Sequence, residues 1–375
     1  MNWIPKKRTA ESNMKYLSEF RDAALVKTLL RNINKTVTGQ WNIMEVCGGQ
    51  THGLVRHGIL DMLPDKIRMI HGPGCPVCVT PVSLIDKAIE LCLEHNVILC
   101  SYGDMLRVPG TEMSLQKARA AGGNVRILYS PLEAVDIAKK NPDRQVVFFA
   151  VGFETTAPAN ALSVMQASNL KLTNYSILSA HVMVPPAMEA IMGDKETQVH
   201  GFLAAGHVCT VMGLSEYEPL VKRWKMPVVV TGFEPVDLLE GIWLVISQLE
   251  KGEYQLQNQY KRVVSNQGNR QAVELVKKVF EYRNRDWRGI GEIPLSGLFL
   301  REEFREYDAA MKFKDIKVPE AVETECLSGD IMKGKIKPPE CPHFGNKCTP
   351  EHPLGAPMVS SEGACAAYYQ YKMQS

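Results

Sequence analysis

Ten cysteines stand in this chain of 375 residues, and most fall into groups whose spacing reads as chemistry. Four lie in the last fifty residues: Cys326, Cys341, Cys348 and Cys365, separated by fourteen, six and sixteen residues. Four thiolates on one stretch hold either zinc or an iron–sulfur cluster. Structural zinc sites of this kind favour paired Cys-x-x-Cys knuckles, which the segment lacks. Pro342 follows Cys341 as proline follows a ligating cysteine in ferredoxins. The pattern predicts a 4Fe-4S cluster, and with it a redox protein.

Three more cysteines sit in glycine-rich turns. Cys75 and Cys78 form a Cys-x-x-Cys in HGPGCPVC (71–78), after a strand and opening a helix. A thiol at a helix start is stabilised as thiolate, so the pair is suited to cycle between dithiol and disulfide or to bind a soft metal. Cys47 begins CGGQTHG (47–53) at a strand end, beside two glycines, which is a poor place for core packing. His52 is expected to share a pocket with Cys47 as acid/base or hydrogen-bond donor; the plainer alternative is a capping or satisfied polar residue. In GFETT (152–156), Glu154 is a candidate proton donor or partner for a cation, with Thr155 or Thr156 as a helix cap. His207 in AAGHV and Asp104 in SYGD occupy equivalent strand ends, whereas Cys92, Cys100 and Cys209 read as core thiols.

The elements that must carry these residues show a clear rhythm. Short β-branched runs begin at residues 42, 67, 96, 125, 145, 175, 201 and 227, each closed by glycine, proline or a small polar residue. Between several of them lie helical stretches at 52–61, 82–95, 114–121, 131–140, 157–168 and 235–250. Buried parallel strands joined by crossover helices make an α/β, doubly wound fold. Six motif-bearing turns then fall at carboxyl ends of strands, where ligands bind in such sheets. A short echo, VVFFAVGFETT against VVVTGFEPVD, suggests two parallel-sheet domains facing a cleft. The expected divisions are an N-terminal helical segment (1–34) packed on the C-terminal domain, α/β domains at 35–141 and 142–255, and a smaller irregular and helical cluster domain at 256–375. In the last of these, one helix near 269–284 precedes irregular chain that needs a metal staple.

Charge narrows the function. Forty-three basic residues against 41 acidic leave a net charge of +2, so no polybasic surface points to nucleic acid or anionic lipid. No apolar run is long enough for a membrane span, and the N-terminus has no secretory pattern, so a cytoplasmic protein is expected. A zinc-stabilised nucleotide-binding protein is disfavoured by the lack of a Walker A lysine motif or G-x-G-x-x-G turn.

Together these motifs resemble the HypD family of hydrogenase maturation proteins across nearly the whole chain. The resemblance rests on MEVCGGQTH, IHGPGCPVC, YGDMLRVPG, VFFAVGFETT, AGHV, GFEP and the stretch from KPPECPHFGNKC to GACAAYYQY. It implies an assembly scaffold for the iron centre of nickel–iron hydrogenases, an iron carrying two cyanides and one carbon monoxide as transient cargo. It further implies a small HypC-like chaperone, a HypE-like cyanide donor, and a hydrogenase large subunit reached through the chaperone. Carried onto this chain, Cys47 looks like the iron thiolate, Cys75 and Cys78 like the redox pair and possible iron ligands, and the four C-terminal cysteines like cluster ligands. A freestanding cluster-dependent thiol–disulfide oxidoreductase is the alternative.

Overall fold

All eight β-branched runs form strands, and their pairing builds two all-parallel sheets. The computed structural model describes residues 18–94, 96–320 and 324–372. The strands are β1 (Trp41–Glu45), β2 (Ile67–His71), β3 (Val97–Ser101), β4 (Val125–Ile127), β5 (Gln145–Gly152), β6 (Tyr175–His181), β7 (Gly201–Ala205), β8 (Val228–Thr231) and a short β9 (Leu256–Asn258). The first sheet has the order β2-β1-β7-β8-β9 and the second β4-β3-β5-β6. The inner strands are buried almost without interruption, as expected when helices cover both faces, whereas the edge strands β4 and β9 are partly exposed.

The sheets do not follow the expected division at residue 141. β3 and β4 precede that point yet share a sheet with β5 and β6, which follow it, through pairs such as Leu99↔Val147. The turn at 141–144 merely joins the helix Pro131–Lys140 to β5. After β6 the chain returns to the first sheet, and β7 pairs with the free side of β1 (Ile43↔Gly201, Met44↔Phe202, Glu45↔Leu203). The first sheet is therefore built from two separate pieces of chain, with the whole second sheet between them. The two Gly-Phe-Glu copies fall one in each sheet, after β5 and after β8.

The N-terminal expectation also needs correction. Asp22 caps the helix Ala23–Thr36 by accepting from the Ala24 and Leu25 N–H groups. Its apolar stripe packs on the helix Pro235–Lys251, with Ile33 in one core with Leu239, Ile242 and Ile246, rather than on the C-terminal domain. Residues 1–17 of that expected segment lie outside the described residues.

The helix near 269–284 stops early. It spans Arg270–Val279, and the chain continues as an antiparallel hairpin of β10 (Phe280–Trp287) and β11 (Gly291–Leu300), paired from Phe280↔Leu300 to Trp287↔Gly291. Ser179 Oγ donates to Leu298 O (2.8 Å) and Met183 N to Ser296 O (2.9 Å), so the hairpin covers the β6 edge that would otherwise stand open.

The carboxyl ends of the two sheets meet. Cys47 after β1, Phe153 after β5, Val182 after β6 and Cys209 after β7 belong to one buried cluster. Among the described residues no helix is long and apolar enough to cross a membrane.

Glu250 fixes the entry to β1, accepting from Thr38 N (2.6 Å), Gly39 N (2.9 Å) and Trp41 Nε1 (2.7 Å). Burial pushes its pKa up, but these bonds and the Thr38 hydroxyl outweigh that and bring it to about 2. A depressed folded-state pKa adds stability above the ordinary value near 4.5 and loses it as the pH falls toward about 2. Glu250→Gln should lower the urea midpoint at neutral pH and flatten its fall across that acid window. An unchanged pH profile would remove this role.

Candidate functional site

β1 ends at Glu45, whose side chain is fully buried. Its carboxylate accepts from the Cys47 N–H (2.9 Å), from His71 Nδ1 (2.8 Å) and from the Thr51 hydroxyl. His71 Nε2 in turn lies 3.0 Å from the Tyr368 hydroxyl on the C-terminal helix Ala364–Lys372. One carboxylate thus joins β1, β2, the Gly48–Arg56 helix and the C-terminal helix. Cys47 is held in extended conformation as the residue that opens that helix. A Cβ on Gly74 would stand 2.2 Å from Cys47 N, so only glycine lets the β2 loop lie this close.

The Cys47 thiol is buried, with His207 Nδ1 3.6 Å away. Burial first, and then Glu362 and Glu45, push the thiol well above its ordinary pKa, while the backbone N–H groups of Gln50 and Gly49 oppose this. Burial lowers His207 to about 4, so its imidazole is neutral, a weak base placed to share a hydrogen bond with the thiol. The His207 ring packs on Phe233 of GFEP at 5.3 Å between centroids.

Cys75 and Cys78 are joined in a disulfide. Ser360 Oγ lies 3.2 Å from Cys75 Sγ, and the Cys78 N–H donates to the same sulfur at 3.1 Å. A cavity beside the disulfide is lined by Gly48, Gly74, Cys75, Cys78 and Glu362. Burial, with Asp104 nearby, raises the Glu362 carboxyl to about 7. The segment around it is pinned to the second sheet: Asp104 after β3 accepts from Ser361, and Arg107 donates to Val359 O (2.9 Å).

Cys326, Cys341, Cys348 and Cys365 line a second cavity with Leu327, Ile331, Phe344, Leu354 and Met358. Burial and the other three sulfurs push Cys365 far above the usual thiol range, so the four are near enough to repel as thiolates. Leu354 N–H donates to Cys348 Sγ (3.4 Å), and a Cβ on Gly355 would stand 2.3 Å from Cys326 Sγ. Among the described residues no three His, Cys, Asp or Glu side chains converge on a single-ion position. The sulfurs are spread round a cavity wall. Ser328 and Ile331 line both this cavity and the one beside the disulfide.

The model of the HypD family, described as "Hydrogenase formation hypA family", matches residues 24–372. The chain belongs to the HypD family. It is similar to the hydrogenase maturation factor HypD of Azotobacter vinelandii, 47% identical over 371 residues and covering 96% of this chain and 98% of that protein. The factor of the same name from Rhodobacter capsulatus is 45% identical over 370 residues, covering 96% and 98%. That of Escherichia coli K12 is 39% identical over 375 residues, covering 100% and 99%. This HypD-family chain is accordingly a hydrogenase maturation factor, and these matches do not support a freestanding oxidoreductase.

Within the HypD-family chain, the histidine beside Cys47 is His207 rather than His52. Five residues along a helix turn a side chain about 140° away from the first, so His52 looks elsewhere. Its ring meets Tyr371 edge-on at 5.8 Å, and its buried Nε2 has no hydrogen-bond partner among the described residues. Glu154 is buried, accepts from Val184 N (2.9 Å), and is raised to about 8 by burial with Glu216 adding. Its electrostatic neighbours are Cys209, Tyr217 and Tyr282 rather than Cys47. Thr156 bonds Phe153 O and provides no cap hydrogen bond. Cys92, Cys100 and Cys209 are buried free thiols. Sequence reasoning missed Glu362; its signal was an acidic residue three positions before Cys365 in SEGAC.

Removing the Glu45 carboxylate would strand His71, Thr51 and the Cys47 N–H together. Glu45→Ala should cost about 3–5 kcal/mol in denaturant unfolding. A loss below about 1 kcal/mol would show that the hub is dispensable.

Proposed function

We propose that this hydrogenase maturation factor is a redox-active scaffold that holds iron while cyanide and carbon monoxide are attached to it. A small HypC-like chaperone shares the iron, a HypE-like protein supplies cyanide, and the finished unit reaches the hydrogenase large subunit through the chaperone, in the cytoplasm. The observation that carries this reading is the contiguity of three sulfur sites. Glu362 lies against Cys47 and lines the disulfide cavity, which shares walls with the four-thiol cavity.

The four-thiol cavity fits a 4Fe-4S cluster: four sulfur donors, walls that are mostly apolar with Glu325 and His343 also on the lining, and a backbone N–H directed at one sulfur. When bound, such a cluster supplies electrons one at a time. The chain's own residues do the rest. Opening the Cys75–Cys78 bond takes two electrons and two protons and yields two thiols. Glu362, with a carboxyl near neutrality on the same cavity, is suited to pass a proton to the sulfurs.

Cys47 binds the iron substrate as thiolate. Burial opposes that ionisation until a cation arrives whose charge offsets it. The released proton passes to Glu362, which lies against the thiol and whose carboxyl is near neutrality. Low-spin iron with strong-field diatomic ligands favours such a soft donor.

Two variants separate the sites. In Cys47→Ala, purified anaerobically with its partners, the infrared bands of iron-bound cyanide and carbon monoxide should vanish while iron and acid-labile sulfide stay at about four each per cluster. In Cys365→Ala the iron and sulfide should fall together. Unchanged infrared bands in the first variant would exclude Cys47 as the iron thiolate.

A further inference from the structure

The hairpin turn between β10 and β11 carries a motif, Trp287-Arg288-Gly289, that none of the chemistry above uses. Trp287 is fully buried and donates to Ser296 Oγ (2.8 Å), which fixes the strand up to the turn. Arg288 then reaches three places at once. Its N–H donates to Val79 O (2.9 Å), one residue past the disulfide. Its guanidinium donates to Pro109 O (3.2 Å) in the loop after β3. Its neighbour Gly289, with φ of 80°, packs on Gly329 so closely that a Cβ there would stand 2.2 Å from Gly289 O. Gly329 lies in the first turn of the short helix Ser328–Met332 that follows Cys326.

This places a half-buried positive charge between the disulfide loop and a thiol of the four-cysteine cavity. The charges that act on it are Cys326 and Asp86. Asp86 is already occupied, accepting from Thr111 N (2.8 Å) and the Thr111 hydroxyl (2.6 Å). The salt bridges among the described residues do not include Arg288. A guanidinium held this way, with the Pro109 carbonyl as its hydrogen-bond partner, keeps its charge available to the sulfurs.

We infer that Arg288 is a positioning residue that raises the reduction potential of the centre held by Cys326, Cys341, Cys348 and Cys365. The inference rests on the cluster reading above. One-electron reduction adds one negative charge to the cluster–thiolate unit, and a nearby fixed cation stabilises the more negative form. Because its main-chain N–H binds Val79 O, the same residue sets the distance between that charge and the disulfide.

The test is a redox titration of the full chain with reconstituted cluster, poised with dithionite and followed by electron paramagnetic resonance. Arg288→Gln removes the charge and keeps an amide donor for Pro109; Arg288→Lys keeps the charge. The Gln variant should show about a tenfold lower reduced-to-oxidised ratio at a fixed potential, equivalent to about 59 mV for one electron. The Lys variant should stay much nearer the wild-type value. A Gln variant with full iron and a wild-type potential would overturn the inference, as would a Lys variant displaced as far as Gln. Loss of iron from both variants would overturn it too, by making Arg288 a residue that holds the fold. Iron and sulfide analysis of the wild-type chain comes first: a chain that binds neither sinks the cluster reading itself, a result distinct from each of these.

Discussion

A carboxylate shut away from water must be satisfied by its neighbours, and Glu45 is satisfied by groups from three parts of the chain. The Cys47 N–H, the Thr51 hydroxyl and His71 each give it a hydrogen. Leaving any of them out would strand charge in a medium that cannot screen it. The arrangement is therefore held as a unit. It aims the Cys47 thiol and sets the end of β2 from which the Cys75 loop departs. Through His71 and Tyr368 it also ties down the helix that carries Cys365.

The C-terminal segment works as the counterpart of that hub. Residues 355–365 touch Cys326 through Gly355, Cys75 through Ser360, Gly48 through Glu362 and the β3 loop through Ser361. A stretch with little apolar periodicity is ordered here by close backbone approach and by polar contacts to both sheets. That is why the three sulfur sites, far apart in sequence, share walls. The glycines at 74 and 355 stand where any side chain would push two sulfur-bearing loops apart.

Much of this was legible in the residues. β1 to β8 declare themselves because short β-branched runs closed by glycine or proline have few other stable conformations. The motif turns fall at carboxyl ends because parallel pairing puts them there. Strand order was not legible: nothing local in β7 says that it pairs with β1, and the turn at 141–144 looks like a boundary although it lies within one sheet. The hairpin was missed because QAVELVKKVFEY continues a helical apolar rhythm past Val279. What ends the helix is the pairing of Phe280 with Leu300, twenty residues on. His52 was preferred over His207 because it is near Cys47 in sequence. Helical phase turns the near histidine away, and sheet pairing brings the distant one in.

The insertion of β7 beside β1 has a consequence in time. A chain made from its N-terminus can pair β1 with β2 early, but Ile43 and Met44 find their second partners only when Gly201 and Phe202 exist. Every strand of the second sheet has been synthesised by then. Non-local pairing of this kind is slow to close and leaves an unsatisfied edge while it waits. His207 follows β7 directly, so the thiol of Cys47 acquires its imidazole neighbour only in that late step. A nascent or half-folded chain thus has the cysteine without the surroundings that the finished fold gives it.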